Sequence, residues 1–164
     1  IEIIMNFKRL KIFILIYLII SFLFFLNLEI NNVQFMNFNL LILVIISFDI
    51  FSYIFGNLYG RTKILFSISP NKTLEGLLGG VVCSFALSLI YLYFFNLHIN
   101  SKNLIIILTI IISSFLGDVI ESKFKRINNI KNSSNYLPGH GGFFDRFDSF
   151  ILSIISYSFL INIL

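Results

Sequence analysis

Tryptophan is absent from the 164 residues, and proline and histidine occur only twice each. Cysteine occurs once. A lone Cys83 excludes an internal disulfide framework and a cysteine-ligated metal site; inside an apolar run it reads as a small packing residue. Charge is scarce as well, at 12% of residues, about half the share of an ordinary soluble domain. No linker separates a second core, so the chain reads as one bundled domain. Against these absences stand 57% hydrophobic residues, 21 Phe and a mean hydropathy of +0.93. Such a composition excludes a soluble globular domain and predicts an integral membrane protein.

About 20 apolar residues cross a hydrocarbon core. Five stretches meet or approach that length: Leu10 to Leu26, Phe38 to Phe55, Leu77 to Leu97, Leu104 to Ile120 and Ser149 to Leu164. The sequence therefore predicts an all-α fold, a polytopic membrane helix bundle of about five transmembrane helices, with residues 1–164 forming one membrane-embedded domain. The first run is too long for a signal-peptide core and lacks a small-residue cleavage site after it. Orientation follows from the basic residues. Lys8, Arg9 and Lys11 precede the first span, which sets the N-terminus in the cytoplasm. Counting spans then puts every Lys and Arg except Lys102 on that same side. The net charge of +4 thus describes a basic cytoplasmic face suited to anionic lipid or a phosphorylated substrate, with no nucleic acid as partner.

Five of the eight acidic residues share the two large cytoplasmic loops: Glu75, Asp118, Glu121, Asp145 and Asp148. Asp118 sits at the end of span four in "FLGDVIESKFKR". An ionised carboxylate at a helix centre costs roughly 2.5 to 3.5 kcal/mol on insertion scales, less near the interface, so an acid here is a functional-site candidate. If the helix runs on, Asp118, Glu121 or Ser122, and Lys125 fall on one face. Lys131 and "SSNYLPGHGG" follow. Gly139, Gly141 and Gly142 allow the backbone close to an anion, and His140 suits proton transfer or phosphate contact. Asp145 and Asp148 in "FDRFD" stand three apart beside Arg146, on one face if span five begins there. Carboxylates next to Arg, Lys and a glycine turn make an oxygen-ligand site for a hard cation that also carries phosphate.

The earlier loop, "SISPNKTLEGLLGG", is broken by Pro70. Thr73 can cap a new helix with Glu75 in its first turn, and Lys72 lies at that helix N-terminus, where phosphate is favoured. Asp49, with Tyr53 one turn on and Gly56 beyond, is an intramembrane acid in span two.

These residues resemble one family, the phosphatidate cytidylyltransferases or CDP-diacylglycerol synthases. The resemblance covers about residues 49–150. Its closing signature is carried by Ser122, Lys125, Arg126, Lys131, Pro138, His140, Gly141, Gly142, Asp145, Arg146 and Asp148. A second patch comprises Ser69, Pro70, Lys72, Thr73, Glu75 and Gly76, and a third Asp49, Tyr53 and Gly56. Three features depart from the family. Asn132 replaces the usual Asp, bulky residues follow Asp49 in "DIFSYIFG", and the amino-terminal part is shorter than in typical members.

The resemblance implies transfer of the cytidylyl group of CTP to phosphatidate with Mg²⁺, and a second, monovalent cation is compatible with it. It implies Asp118, Asp145 and Asp148 as metal ligands, and these three with His140 and Lys131 at the reacting phosphates. Substrate contacts fall to Asp49, Ser69, Lys72, Thr73, Glu75, Ser122, Lys125, Arg126, Gly141, Gly142 and Arg146. It further implies a homodimer in the bacterial inner membrane. Other readings stay open: a CTP-dependent kinase or cytidylyltransferase for another lipid such as a polyprenol, a truncated non-catalytic homologue, or a small transporter using Asp49 and Asp118. A CDP-alcohol phosphotransferase is disfavoured, because its aspartates spaced by four are missing.

Overall fold

The computed structural model describes residue 3 and residues 6–30, 35–134 and 142–163. Its helices are α1 (Lys11–Ile30), α2 (Phe35–Tyr59), α3 (Leu74–Phe94), α4 (Ser101–Ile127) and α5 (Asp148–Ile163). Among the described residues, α1 to α4 are long and apolar enough to cross a membrane. α5 is equally apolar but has 16 residues, about 24 Å at 1.5 Å per residue. The polytopic all-α architecture expected from the apolar runs is present.

The helix ends have local causes. Asn100 caps α4 by accepting from the Asn103 N–H at 3.0 Å, and Thr73 caps α3 by accepting from Gly76 N–H at 3.2 Å. Beyond α4, Asn129 takes a positive φ of 56°, a conformation Asn tolerates better than most residues, and the chain turns away.

One element was not foreseen. Between α2 and α3 the chain forms an antiparallel ribbon, β1 (Lys63–Leu65) with β2 (Ser69–Thr73), pairing Lys63 with Thr73 and Leu65 with Ser69. Pro70 is tolerated because a two-stranded ribbon leaves each strand an unpaired edge.

Helices in lipid gain little from hydrophobic burial and associate through close packing and polar contacts. α2 packs chiefly on α3, and α4 on α5. Where α2 crosses α3, a Cβ on Gly76 would stand 2.6 Å from the Ser52 carbonyl oxygen, so only glycine permits this approach. Between α4 and α5, Ser113 Oγ donates to Ser153 Oγ at 3.3 Å. Leu41, Val44, Leu92, Ile107, Ile110 and Tyr157 form the shared core. Phe13, Ile16, Val82, Ile112 and Phe159 point outward, as lipid-facing residues must.

The connectivity gathers the polar segments at one end of the bundle. Arg9 N–H donates to Asn128 Oδ1 at 2.6 Å, joining the start of α1 to the end of α4. Arg126 Nε donates to the Ile68 carbonyl at 3.1 Å, joining α4 to the ribbon. Lys102 lies at the opposite end, in a small cavity with Asn37 and Tyr157.

Candidate active site

At the polar end lies a cavity of about 330 Å³. Asp49 and Tyr53 reach it from α2, Ser69, Asn71, Lys72 and Thr73 from β2, Phe115 and Asp118 from α4, and Asp148 from α5. Four separate stretches of sequence thus meet in one polar pocket.

α4 continues past Asp118 to Ile127, so Asp118, Ser122, Glu121 and Lys125 do share a helical face. Ser122 Oγ donates to Asp118 Oδ1 at 3.4 Å. Lys72 Nζ lies 2.6 Å from Asp118 Oδ2 and 4.5 Å from the centre of the Phe115 ring. Phe115 is one turn before Asp118, so one helix face offers the ammonium both a carboxylate and an aromatic face.

Asp148 opens α5. Its approach to Asp118 depends on Gly117: a Cβ there would stand 2.5 Å from the Asp148 carbonyl oxygen. Without a side chain at Gly117 the backbone of α5 seats directly on α4. Asp118, Glu121 and Asp148 can then each offer an oxygen within 4.8 Å of the others. On the α2 side, Ser149 Oγ donates to Asp49 Oδ2 at 3.0 Å.

Asp145 has a different setting. It lies in a 3₁₀ turn, Phe144–Arg146, that ends before α5 begins, so Asp145 and Asp148 do not share a helix face as their spacing suggested. The Asp145 carboxylate faces Lys125 Nζ at 2.9 Å and accepts from the N–H groups of Ser133, at 2.9 Å, and Gly142, at 2.8 Å. Lys125 is shared with Glu121 at 2.7 Å, a carboxylate that is 1% exposed. Burial by itself raises the Asp145 carboxyl; hydrogen bonding to Glu121, Gly142 N–H, Lys125 and Ser133 N–H outweighs it and holds the group well below the usual carboxylate range. Asp145 therefore pins the loop before α5 to α4, one charge layer behind the cavity.

The remaining sequence-nominated residues divide as follows. Glu75 accepts from the Thr62 hydroxyl at 2.6 Å and from Arg61 N–H at 3.1 Å, tying the base of the ribbon to α3. Arg126 holds the ribbon turn. Lys131 and Arg146 are exposed on the same end. His140 and Gly141 lie outside the described residues. Phe115 and Ser149 were not nominated, and Glu121 was placed on the α4 stripe but not among the metal ligands. Glu121 carried a signal, three residues after Asp118 and four before Lys125, whereas Ser149 meets Asp49 across 100 positions and no local pattern marks that contact.

A polar pocket of lysine, carboxylates and a small ribbon at one end of an apolar bundle suits a phosphorylated ligand. The model of the cytidylyltransferase family matches residues 3–164. The chain belongs to that family. Among curated relatives, a phosphatidate cytidylyltransferase of Staphylococcus epidermidis is 43% identical over 137 residues, 82% of this chain and 52% of the relative. Phosphatidate cytidylyltransferases of Staphylococcus haemolyticus and Staphylococcus saprophyticus are 49% and 50% identical over 105 residues, 63% of this chain and 40% of each relative. The chain thus spans about half the length, or less, of these curated relatives. Membership extends across α1 to α5, beyond the residue 49–150 core that carried the motifs.

Proposed function

We propose that the protein transfers the cytidylyl group of CTP to phosphatidate, giving CDP-diacylglycerol and pyrophosphate for phospholipid synthesis. The observation that carries this reading is the cavity where Lys72, Asp118 and Asp148 converge at one end of an apolar bundle. Its relatives' names point the same way. A lipid phosphate can lie there with its acyl chains in the bilayer while a nucleotide arrives from water.

In the reaction a phosphatidate oxygen bonds to the α-phosphorus of CTP. The bond from that phosphorus to the α–β bridging oxygen breaks, and pyrophosphate departs with the electron pair. No covalent participation by the protein is needed, so positioning and charge compensation dominate. Lys72 turns from Asp118 to a CTP phosphate, steadied by the Phe115 ring. Ser69 and Thr73, with the backbone of the ribbon, border the same anion, and Asp49 with Ser149 closes the far wall. Arg126, Lys131 and Arg146 form the basic rim that attracts both substrates, with Lys125 held behind it between Glu121 and Asp145. The family resemblance adds His140, Gly141 and Gly142 to the groups that meet the substrates.

The acidic set fits Mg²⁺, a hard cation that takes oxygen ligands. Asp118 and Asp148 would hold it, with Glu121 beside them and Asp145 the next carboxylate behind Lys125; a monovalent cation would be a second, assisting ion. When bound, Mg²⁺ offsets charge on the phosphates and the departing pyrophosphate. The basic end faces the cytoplasm, in keeping with all Lys and Arg but Lys102 lying on that side of the spans. Family resemblance adds the bacterial inner membrane and a homodimer, and the lack of a linker to a second core makes residues 1–164 a single domain.

Pyrophosphate release from CTP, phosphatidate and Mg²⁺ in mixed micelles tests the assignment. Asp118→Asn and Asp148→Asn should each lower the rate by about 100-fold or more. Unchanged rates in both would remove this cavity from the reaction.

A further inference from the structure

Tyr17 belongs to none of the motifs above and sits in α1, where apolar residues dominate. Its hydroxyl oxygen is buried and has no hydrogen-bond partner among the described residues. Such buried orphans are few in native structures, and each costs stability unless something satisfies it. Its position explains what that could be. α1 and α5 both start at the polar end and run side by side, with Ser21 Oγ donating to the Ile151 carbonyl at 3.2 Å. One turn back along each helix brings Tyr17 level with Asp148. From α4, Phe124 meets the Tyr17 ring edge-on, with ring centres 6.4 Å apart. Phe124 is the neighbour of Lys125 and lies one turn beyond Glu121. The phenol thus packs among side chains of the two helices that carry the carboxylates, Phe124 of α4 and Ile151 of α5 belonging to the same cluster.

We propose that Tyr17 is a positioning residue of the cytidylyl-transfer site: its hydroxyl, which makes no hydrogen bond among the described residues, turns to donate its proton to the Asp148 carboxylate when a cation is bound, and so fixes that carboxylate toward Asp118 and Glu121. The inference rests on the function proposed above. It gives α1 a part in the chemistry, although no polar motif marks that helix. The arrangement follows the general logic of ligand carboxylates, which are themselves held by hydrogen bonds from an outer layer of side chains.

The test uses the full chain in detergent, with Mn²⁺ as the probe and its binding followed by electron paramagnetic resonance in the absence of nucleotide. Tyr17→Phe keeps the ring and removes only the hydroxyl. It should leave the melting temperature unchanged and weaken Mn²⁺ binding about 10-fold. Tyr157→Phe removes another buried, unpartnered hydroxyl, at the opposite end of the bundle, and should leave Mn²⁺ binding as it was. In the wild-type protein, Mn²⁺ should also shift one tyrosine C–O band in the infrared difference spectrum, a readout that does not depend on a variant folding. Equal Mn²⁺ affinity in wild type and Tyr17→Phe, or no tyrosine band, overturns the role of Tyr17 and leaves the cation site standing. A wild-type protein that binds no Mn²⁺ overturns the cation site and the role of Tyr17 with it.

Discussion

Replacing Gly117 by alanine tests how the site is assembled without touching any group that would meet substrate. The added Cβ would stand 2.5 Å from the Asp148 carbonyl oxygen and 3.3 Å from both Leu152 Cβ and Ser149 Cα, where ordinary contact begins at 3.4 Å. The obstructing atom is backbone, so no side chain can swing aside. α5 must retreat by about 1 Å, the scale of shift that overpacked cores absorb at a cost of about 1–3 kcal/mol. Asp148 moves with it, away from Asp118 and Glu121. A misplacement of about 1 Å costs roughly 100-fold in rate when geometry is the main catalytic device. Gly117→Ala should therefore melt several degrees lower in detergent and lose about 100-fold in cytidylyl transfer, with Mn²⁺ binding weakened in parallel. Ser113→Ala, one turn earlier on the same face of α4, adds no volume and should lose little of either. If Gly117→Ala kept full activity and wild-type Mn²⁺ affinity, the claim that this contact sets the carboxylate geometry would be refuted.

Lys72→Met keeps the aliphatic stem but removes the charge that faces Asp118. The pair is partly exposed, with side chains 17% and 35% accessible, so stability should change by no more than about 1 kcal/mol, while kcat/KM for CTP falls about 100-fold; an unchanged kcat/KM would exclude Lys72 from phosphate binding. The folded protein holds the Asp145 carboxyl below its ordinary range, so its stabilising contribution is complete above about pH 4, the unfolded value, and disappears as pH falls through the lower folded value. Asp145→Asn should accordingly lose about 2 kcal/mol at pH 7 and lose less on acidification than the wild type does, measured as melting temperature against pH. A parallel acid profile in the two proteins would contradict the clamp on Lys125, Ser133 and Gly142.

The spans were legible because hydrophobicity is a cumulative signal over some 20 residues. Their ends were not, since α2 runs on to Tyr59 and α4 to Ile127 through polar residues that hydropathy counts against a helix. In α4 the missing information lay in spacing: Asp118, Glu121 and Lys125 follow a helical stripe that continues past the apolar run. The ribbon escaped notice because its strands have three and five residues and Pro70 argued for a plain loop. Its consequence is large, since it delivers Lys72 to Asp118. Asp145 and Asp148 were read as one helical pair, but the 3₁₀ turn separates them into a loop clamp and a cavity wall. The meeting of Asp148 with Asp118 and of Ser149 with Asp49 depends on how α4, α5 and α2 pack. Gly117 is the residue where that packing could have been suspected, because a glycine beside an intramembrane acid removes the side chain that would hold a neighbouring helix away.

The central claim is that this end of the bundle carries out cytidylyl transfer to a lipid phosphate. It is tested most directly by supplying the purified protein in mixed micelles with phosphatidate, Mg²⁺ and CTP labelled at either the α- or the γ-phosphate, and measuring label in the lipid fraction. The account predicts α-label in the lipid and none from the γ-position. Lipid labelled from the γ-phosphate would mark a kinase instead, and a folded protein that transfers neither label would contradict the account.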